Sequence, residues 1–178
     1  MSTTILNDLL LPGLVQDKQS ISADWRPVGQ PLIDGVMVKS VQNVMKSNGY
    51  LTELYRNDWF DETAPVEQVF QTVVSPGGLS AWHVHQVTTD RLFVCMGTLK
   101  IVLFDPRLNS PTNGTINTFI VSHLRPQLVV IPPQVVHGVQ TIGPEPALLI
   151  NMVDKAYNYQ QPDHWRLSHP HPSIPYQF

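Results

Sequence analysis

Prolines and glycines cut this chain into segments too short for anything but strands. The 178 residues include 16 prolines and 10 glycines, and these fall between brief apolar runs, the punctuation of an all-β protein. "GVMVKSVQNVM" alternates and leads to the turn-like "SNG". "YLTELYR", Tyr50 to Arg56, follows, then "VEQVFQTVV" before Pro76-Gly77-Gly78. "RLFVCMG" and "LKIVLFD" are expected to form a hairpin-like pair around Gly97, and "NTFIVS", "QLVVIPP", "HGVQTIG" and "ALLINMV" complete the series. The tail "HPHPSIPYQF" is too rich in proline for a central strand. The best helix candidate, "TILNDLLLPGLV", is broken by Pro12. Many short strands with Gly/Pro turns predict a sandwich or jelly-roll barrel, a class that includes cupins. Residues 1–30 are expected to be an N-terminal arm and residues 31–178 a single jelly-roll domain.

Composition narrows the function. A formal net charge of -3 is small and of the wrong sign for a nucleic-acid surface, although a few arginines could still hold one phosphorylated ligand. Cys95 is the single cysteine, so no internal disulfide is possible and a reducing, cytoplasmic setting is the simplest expectation. No apolar run reaches the roughly 18 residues of a membrane helix. The opening stretch lacks the basic region of a signal peptide.

The chemistry concentrates in "SAWHVHQVTTDRLFVCMG". Side chains two apart on a strand share a face, so His83 and His85 point the same way. His137 follows "IPPQVV", and in a jelly roll it can converge with them from a neighbouring strand. Such a cluster suits a divalent metal, with Asp90 completing the shell. One imidazole can equally serve as a general base near neutral pH. Trp82, between Ala81 and His83, is expected to point away from the cavity.

The spacing of Gly77, His83, His85, Asp90 and Gly97 matches the first half of the cupin signature, with Asp where Glu is usual. Pro132 and His137 keep part of the second half. More of the chain resembles one cupin family, the dTDP-4-dehydrorhamnose 3,5-epimerases. "NGYLTE" is similar to the family's Arg-Gly-x-Phe-x-Glu, "SAWHVHQ" to its Arg-Gly-x-His-Tyr/Phe-Gln, and "DPRLNSPTNG" to its Asp-x-Arg-x-x-Ser-Pro-Thr-x-Gly loop. "IPPQVVHGVQ", "AYNYQQPDHW" and "HPHPSIPY" continue the match in order. The resemblance implies an isomerase that needs no cofactor: a histidine removes a proton next to the C4 ketone of a nucleotide sugar, a tyrosine protonates the opposite face, and a cation meets the enolate.

On this resemblance His83 is the base, Arg91 the cation, and Tyr157 a catalytic tyrosine, while Glu53, His85, His137 and Asn151 face the substrate; Arg56 is a substrate-binding candidate that could compensate for arginines the family has and this chain lacks. It further implies a nucleotide-sugar substrate and a homodimer, with no nucleic-acid or membrane partner. Several positions depart from the family. Ser80 and Asn48 stand in place of arginines, Asn151 in place of the protonating tyrosine, and His85 in place of a glutamine. No carboxylate occupies His169 or Pro170, where the residue orienting the base is expected. Two alternatives therefore stand beside the epimerase. One is a metal-dependent cupin (dioxygenase or isomerase) binding one divalent ion through His83, His85, Asp90 and His137. The other is a sugar-binding cupin without catalysis.

Overall fold

The computed structural model describes residues 15–25, 28–60 and 65–178. Residues 1–14 and 26–27 of the expected arm, including the helix candidate, lie outside the described residues. The chain divides into two units at Pro31/Leu32. Within the first unit, the described residues make local turns, with the Trp25 amide on the Ser22 carbonyl and the Val28 amide on the Ser20 carbonyl, each at 3.0 Å.

The second unit carries twelve strands and no α-helix among the described residues. They are β1 (Met37–Ser40), β2 (Val44–Lys46), β3 (Gly49–Leu51), β4 (Gln68–Val74), β5 (Leu79–Val84), β6 (Asp90–Met96), β7 (Thr98–Phe104), β8 (Ile116–Ser122), β9 (Gln127–Ile131), β10 (Val136–Thr141), β11 (Ala147–Val153) and β12 (Trp165–Arg166). Two five-stranded sheets form, ordered β1-β9-β6-β11-β4 and β12-β5-β10-β7-β8, with β2 and β3 as a separate ribbon. All the pairings are antiparallel. This is a jelly-roll barrel.

The stretch expected as one strand from Gly35 to Met45 breaks into β1 and β2, and only the first residues of "YLTELYR" are extended in a ladder. The expected hairpin at Gly97 is also corrected. β6 and β7 are consecutive in sequence but belong to different sheets. Gly97 has φ +69, and a Cβ there would stand 2.6 Å from the Pro146 carbonyl oxygen. Only glycine fits this crossing, which carries the chain from one layer to the other instead of doubling it back.

Three apolar clusters hold the layers. The barrel interior is filled by Leu92, Val94, Leu99, Ile101, Leu103, Val121, Val129, Ile131 and Leu149, among others. Phe93, Leu128, Val130 and Met152 bury the outer face of the first sheet under Leu54, Tyr55, Trp59 and Phe60. Trp82, Val102, Phe104, Val136 and Ile174 bury the outer face of the second, joined by Tyr176 and Phe178 of the C-terminal segment. Strands covered on both sides read as continuous apolar runs, which is why "RLFVC" and "KIVLF" show little alternation. Each such fully buried aliphatic side chain contributes roughly 1.5–3 kcal/mol relative to exposure.

The loop "DPRLNSPTNG" closes around Asp105, which is fully buried. Its carboxylate accepts from Arg107 Nε at 2.8 Å and Nη2 at 2.9 Å, from Ser110 Oγ at 2.5 Å and from Thr112 Oγ1 at 2.6 Å. Arg107 Nη2 also donates to the Asp34 carbonyl at 2.8 Å. Burial alone would raise the Asp105 pKa, but these donors outweigh it and hold the carboxyl well below the usual carboxylate range. A depressed folded-state pKa means the stabilisation is complete above the unfolded value of about 4 and drains away as pH falls towards the lower folded value. Asp105→Ala strands the guanidinium and should cost about 3 kcal/mol in urea unfolding at pH 7. The gap between wild type and variant should shrink as the same titration is repeated below about pH 4.

Candidate functional site

One end of the barrel interior is open, with polar side chains set into an apolar wall. The inner faces of β4, β5, β6, β10 and β11, together with residues 155–166, enclose a cavity of about 640 Å³. That volume lies within the roughly 300–1,000 Å³ typical of small-ligand sites. Phe70, Leu92, Val139 and Leu149 form its apolar wall. Lys155 and Arg166 supply positive charge, and Tyr157 stands among the lining residues.

The histidines arrive there through an irregularity in β5. In the pairing of β10 with β5, His137 lies opposite His83 and Val139 opposite Ser80. Three residues of β5 are thus spanned by two of β10, the signature of a bulge. Strict alternation would put Ser80 and His83 on opposite faces. The extra residue turns both inward, and Ser80 Oγ sits 2.8 Å from His83 Nε2. Ala81, Trp82 and Val84 face outward into the second sheet's cluster. His85, beyond the strand, turns inward again.

His83 is held at both nitrogens, because its Nδ1 lies 2.8 Å from His164 Nε2. Burial first, then the neighbouring His137, His164 and Arg166, push its pKa down to about 3. The ring is therefore neutral at physiological pH. Burial likewise lowers His164.

Deeper in the cavity, Asp90 is the hub. Its Oδ1 accepts from Asn151 Nδ2 at 2.7 Å. Its Oδ2 faces His85 Nε2 at 3.3 Å and His137 Nε2 at 3.5 Å. The Asn151 carbonyl oxygen in turn accepts the Arg91 amide at 3.1 Å. His137 Nδ1 contacts the Val135 carbonyl at 3.2 Å, and His85 Nδ1 contacts the main-chain carbonyl of Asp163. Burial lowers the His137 pKa, and the Asp90 charge offsets this in part.

Asp163 organises the rim. Its carboxylate accepts the amides of Gln86 at 2.7 Å, Val87 at 2.9 Å and Thr88 at 3.0 Å, and the Thr88 hydroxyl at 2.8 Å. Burial works to raise its pKa, but these four donors leave it lowered.

The structure thus brings together His83, His85, Asp90, His137, Asn151 and Tyr157 around one cavity. It does not bring Arg91 there. β6 points Asp90 and Leu92 inward, so Arg91 goes to the opposite face, fully buried, its guanidinium 5.5 Å from the Tyr55 ring centre. Asp90, its neighbour in the strand, takes the inward position instead. Glu53 and Arg56 also lie outside this cavity. They pair with each other at 3.4 Å on an exposed segment, and Arg56 takes Asp58 at 2.8 Å. Of the four residues considered as metal ligands, His83 stands apart, engaged by Ser80 and His164.

Sequence reasoning missed His164, Asp163, Arg166 and Lys155. The stretch "HWRLSHPHP" by itself reads as a His-rich metal clip or, more simply, as a solvent-exposed tail. Its only structural signal is the spacing of His164 and Arg166, two apart, with His164 just before β12 and Arg166 within it. Arg166 pairs directly with His83 across the ladder.

Comparison with known proteins yields a consistent set. The family model described as dTDP-4-dehydrorhamnose 3,5-epimerase matches residues 30–178. A probable low-salt glycan biosynthesis epimerase of Haloferax volcanii is 35% identical over 138 residues, 77% of this chain and 88% of that protein. A spore coat polysaccharide biosynthesis protein of Bacillus subtilis is 32% identical over 139 residues, 76% of this chain and 89% of that protein. Among solved structures, a dTDP sugar isomerase from Desulfovibrio desulfuricans G20 superimposes with a TM-score of 0.75 at 25% identity, covering 82% of this chain and 91% of that one. The fold is also shared with a 3'-monoepimerase from Streptomyces bikiniensis in complex with dTDP-quinovose, at a TM-score of 0.73 and 19% identity, covering 83% and 77% of the two chains.

Removing the Asp163 side chain frees the amides that it caps. Asp163→Ala should raise hydrogen exchange across Gln86–Thr88 and leave β7 and β8 protected, measured by exchange mass spectrometry of the two proteins side by side.

Proposed function

The chain belongs to the dTDP-4-dehydrorhamnose 3,5-epimerase family, and we propose that it epimerises a nucleotide-linked 4-keto sugar by proton removal and return at a carbon beside the ketone. The observation that carries this is His83. It is a neutral imidazole on a cavity wall, gripped at Nδ1 and able to exchange its Ser80 contact at Nε2 for a substrate C–H. A base must be both placed and unprotonated before it can take a proton.

His164 holds His83 in the orientation that the resemblance assigns to a carboxylate. With His164 neutral and accepting at Nε2, the His83 Nδ1 hydrogen is fixed and the lone pair stays on Nε2. The partner is uncharged, so the imidazolium formed on proton transfer gains less stabilisation than beside a carboxylate. Arg166 and Lys155 line the same cavity and suit the diphosphate, since guanidinium and ammonium groups are the usual phosphate partners. Tyr157 offers a hydroxyl for returning a proton from another side, where the family's own tyrosine position is Asn151. The reaction moves a proton off and on carbon and transfers no electrons, so it requires no redox cofactor. The homodimer that the resemblance implies has an apolar surface available to it on β4, where Val69 and Val73 are exposed.

The test is isotope exchange. In deuterated water, a dTDP-4-keto-6-deoxyhexose mixed with the protein should lose its C3 or C5 proton signal in NMR spectra. His83→Asn should slow this by about 10²–10⁴-fold. His164→Ala should lower kcat while leaving KM near its original value. Wild-type exchange no faster than buffer across several nucleotide 4-keto sugars would end the proposal.

A further inference from the structure

The nitrogen that takes the substrate's proton in the proposed reaction already has a hydroxyl against it. Ser80 Oγ lies 2.8 Å from His83 Nε2, and both residues line the cavity. Ser80 faces inward because of the extra residue in β5, which breaks the alternation that would send it to the outer face. Bulges re-aim side chains in this way beside active sites. The resemblance places an arginine at this position. His83 Nδ1 is taken by His164 Nε2 at 2.8 Å, so Nε2 is the nitrogen left for a substrate. To accept a proton Nε2 must carry a lone pair, and the hydroxyl beside it is then the donor. A substrate C–H arriving at Nε2 displaces that hydrogen bond. Ser80 is half-buried, and a donor in such a place is costly to leave without an acceptor.

We propose that Ser80 is a catalytic residue of the epimerisation, turning its hydroxyl from His83 to the substrate's ketone oxygen and donating to it as the enolate forms. This rests on the epimerase reading. A carbon held about 3–3.5 Å from Nε2 is placed for proton transfer, and the ketone oxygen on the adjoining carbon lies about 2.4 Å from it. An oxygen so placed is within reach of a hydroxyl that starts 2.8 Å from Nε2. Other donors around the base are engaged elsewhere. Arg91 is fully buried beside Tyr55, on the far face of β6. The Asn151 amide donates to Asp90 Oδ1 at 2.7 Å, and His85 Nε2 and His137 Nε2 both face Asp90 Oδ2. Lys155 and Arg166 serve the diphosphate on the same reading.

The change of partner gains as the reaction proceeds. In the bound substrate, a hydrogen bond to the imidazole is replaced by one to a neutral ketone. As the proton passes to His83 Nε2, the C–H electron pair moves into the enolate and the negative charge rests on the ketone oxygen. A hydrogen bond to an ionised acceptor is roughly twice as strong as one between neutral groups. Ser80 therefore stabilises the transition state more than the bound substrate, which is what accelerates a reaction. Once a proton has returned to carbon and His83 has lost its own, the hydroxyl settles back on Nε2.

The experiment compares wild type, Ser80→Ala and Ser80→Thr, each checked for native circular dichroism, in deuterium exchange on a dTDP-4-keto-6-deoxyhexose, with dTDP binding measured by calorimetry. Ser80→Ala should lower kcat for exchange by about 10²-fold and leave KM near its original value. It should bind dTDP, which has no ketone, as wild type does. Ser80→Thr keeps a hydroxyl and should recover most of the rate. Exchange by Ser80→Ala as fast as wild type, or faster, overturns the proposal, because the hydroxyl then merely covers the lone pair of the base. Equal losses in the alanine and threonine variants overturn it too, as does weaker dTDP binding in step with the lost rate, which marks a packing role. Wild type without exchange on any nucleotide 4-keto sugar ends the epimerase reading together with this role. Exchange that is indifferent to Ser80 ends the role alone.

Discussion

The pairing of β10 with β5 is the constraint on which the rest of the molecule depends. It sets His137 against His83 and, through the extra residue in β5, brings Ser80 onto the same wall. Gly138 makes the approach possible. A Cβ there would stand 2.5 Å from the Cβ of Ala81 and 2.9 Å from the Phe178 ring. The glycine beside His137 is therefore a packing requirement for two strands and a covering aromatic ring at once. A ladder with that geometry gives β5 an apolar outer face and an imidazole-bearing inner one, and the cavity follows.

Around that ladder, charge is arranged by depth. The carboxylate of Asp90 sits at the inner end, nearly sealed from solvent. The cationic side chains, Lys155 and Arg166, come from residues beyond β11. In the proposed reaction the diphosphate of the nucleotide sugar would lie towards these cations and its ring against the histidines. The low dielectric that makes an unpaired group costly there also strengthens every contact that a bound substrate completes.

The fold class was legible because it follows from local pattern: short apolar runs, proline breaks and the covered strands around Gly97. The histidine pair was legible for the same reason, since period two is a property of any strand. Arg91 shows the limit of this. Its neighbour Asp90 carries the inward position, and which member of an adjacent pair faces in depends on register with β9 and β11, not on the sequence of β6. Ser80 needed a bulge that no residue advertises. His164 and Asp163 lie just before a two-residue strand, too short for any periodicity, and their partners lie far away in the chain. Glu53 matches a motif and Arg56 stands in for a missing arginine, but their exposed segment pairs within itself.

That distance in the chain has a consequence of its own. The residue gripping His83 lies 81 positions after it, and the carbonyl under His85 lies 78 positions after it. The aromatic cover over Trp82 comes later still, from Tyr176 and Phe178. During synthesis, β5 therefore leaves the ribosome well before His164 exists to fix His83 at Nδ1 or the C-terminal rings exist to complete the cover of Trp82. Long-range closure of this kind is slow, and until it happens the outer face of β5 is only partly covered.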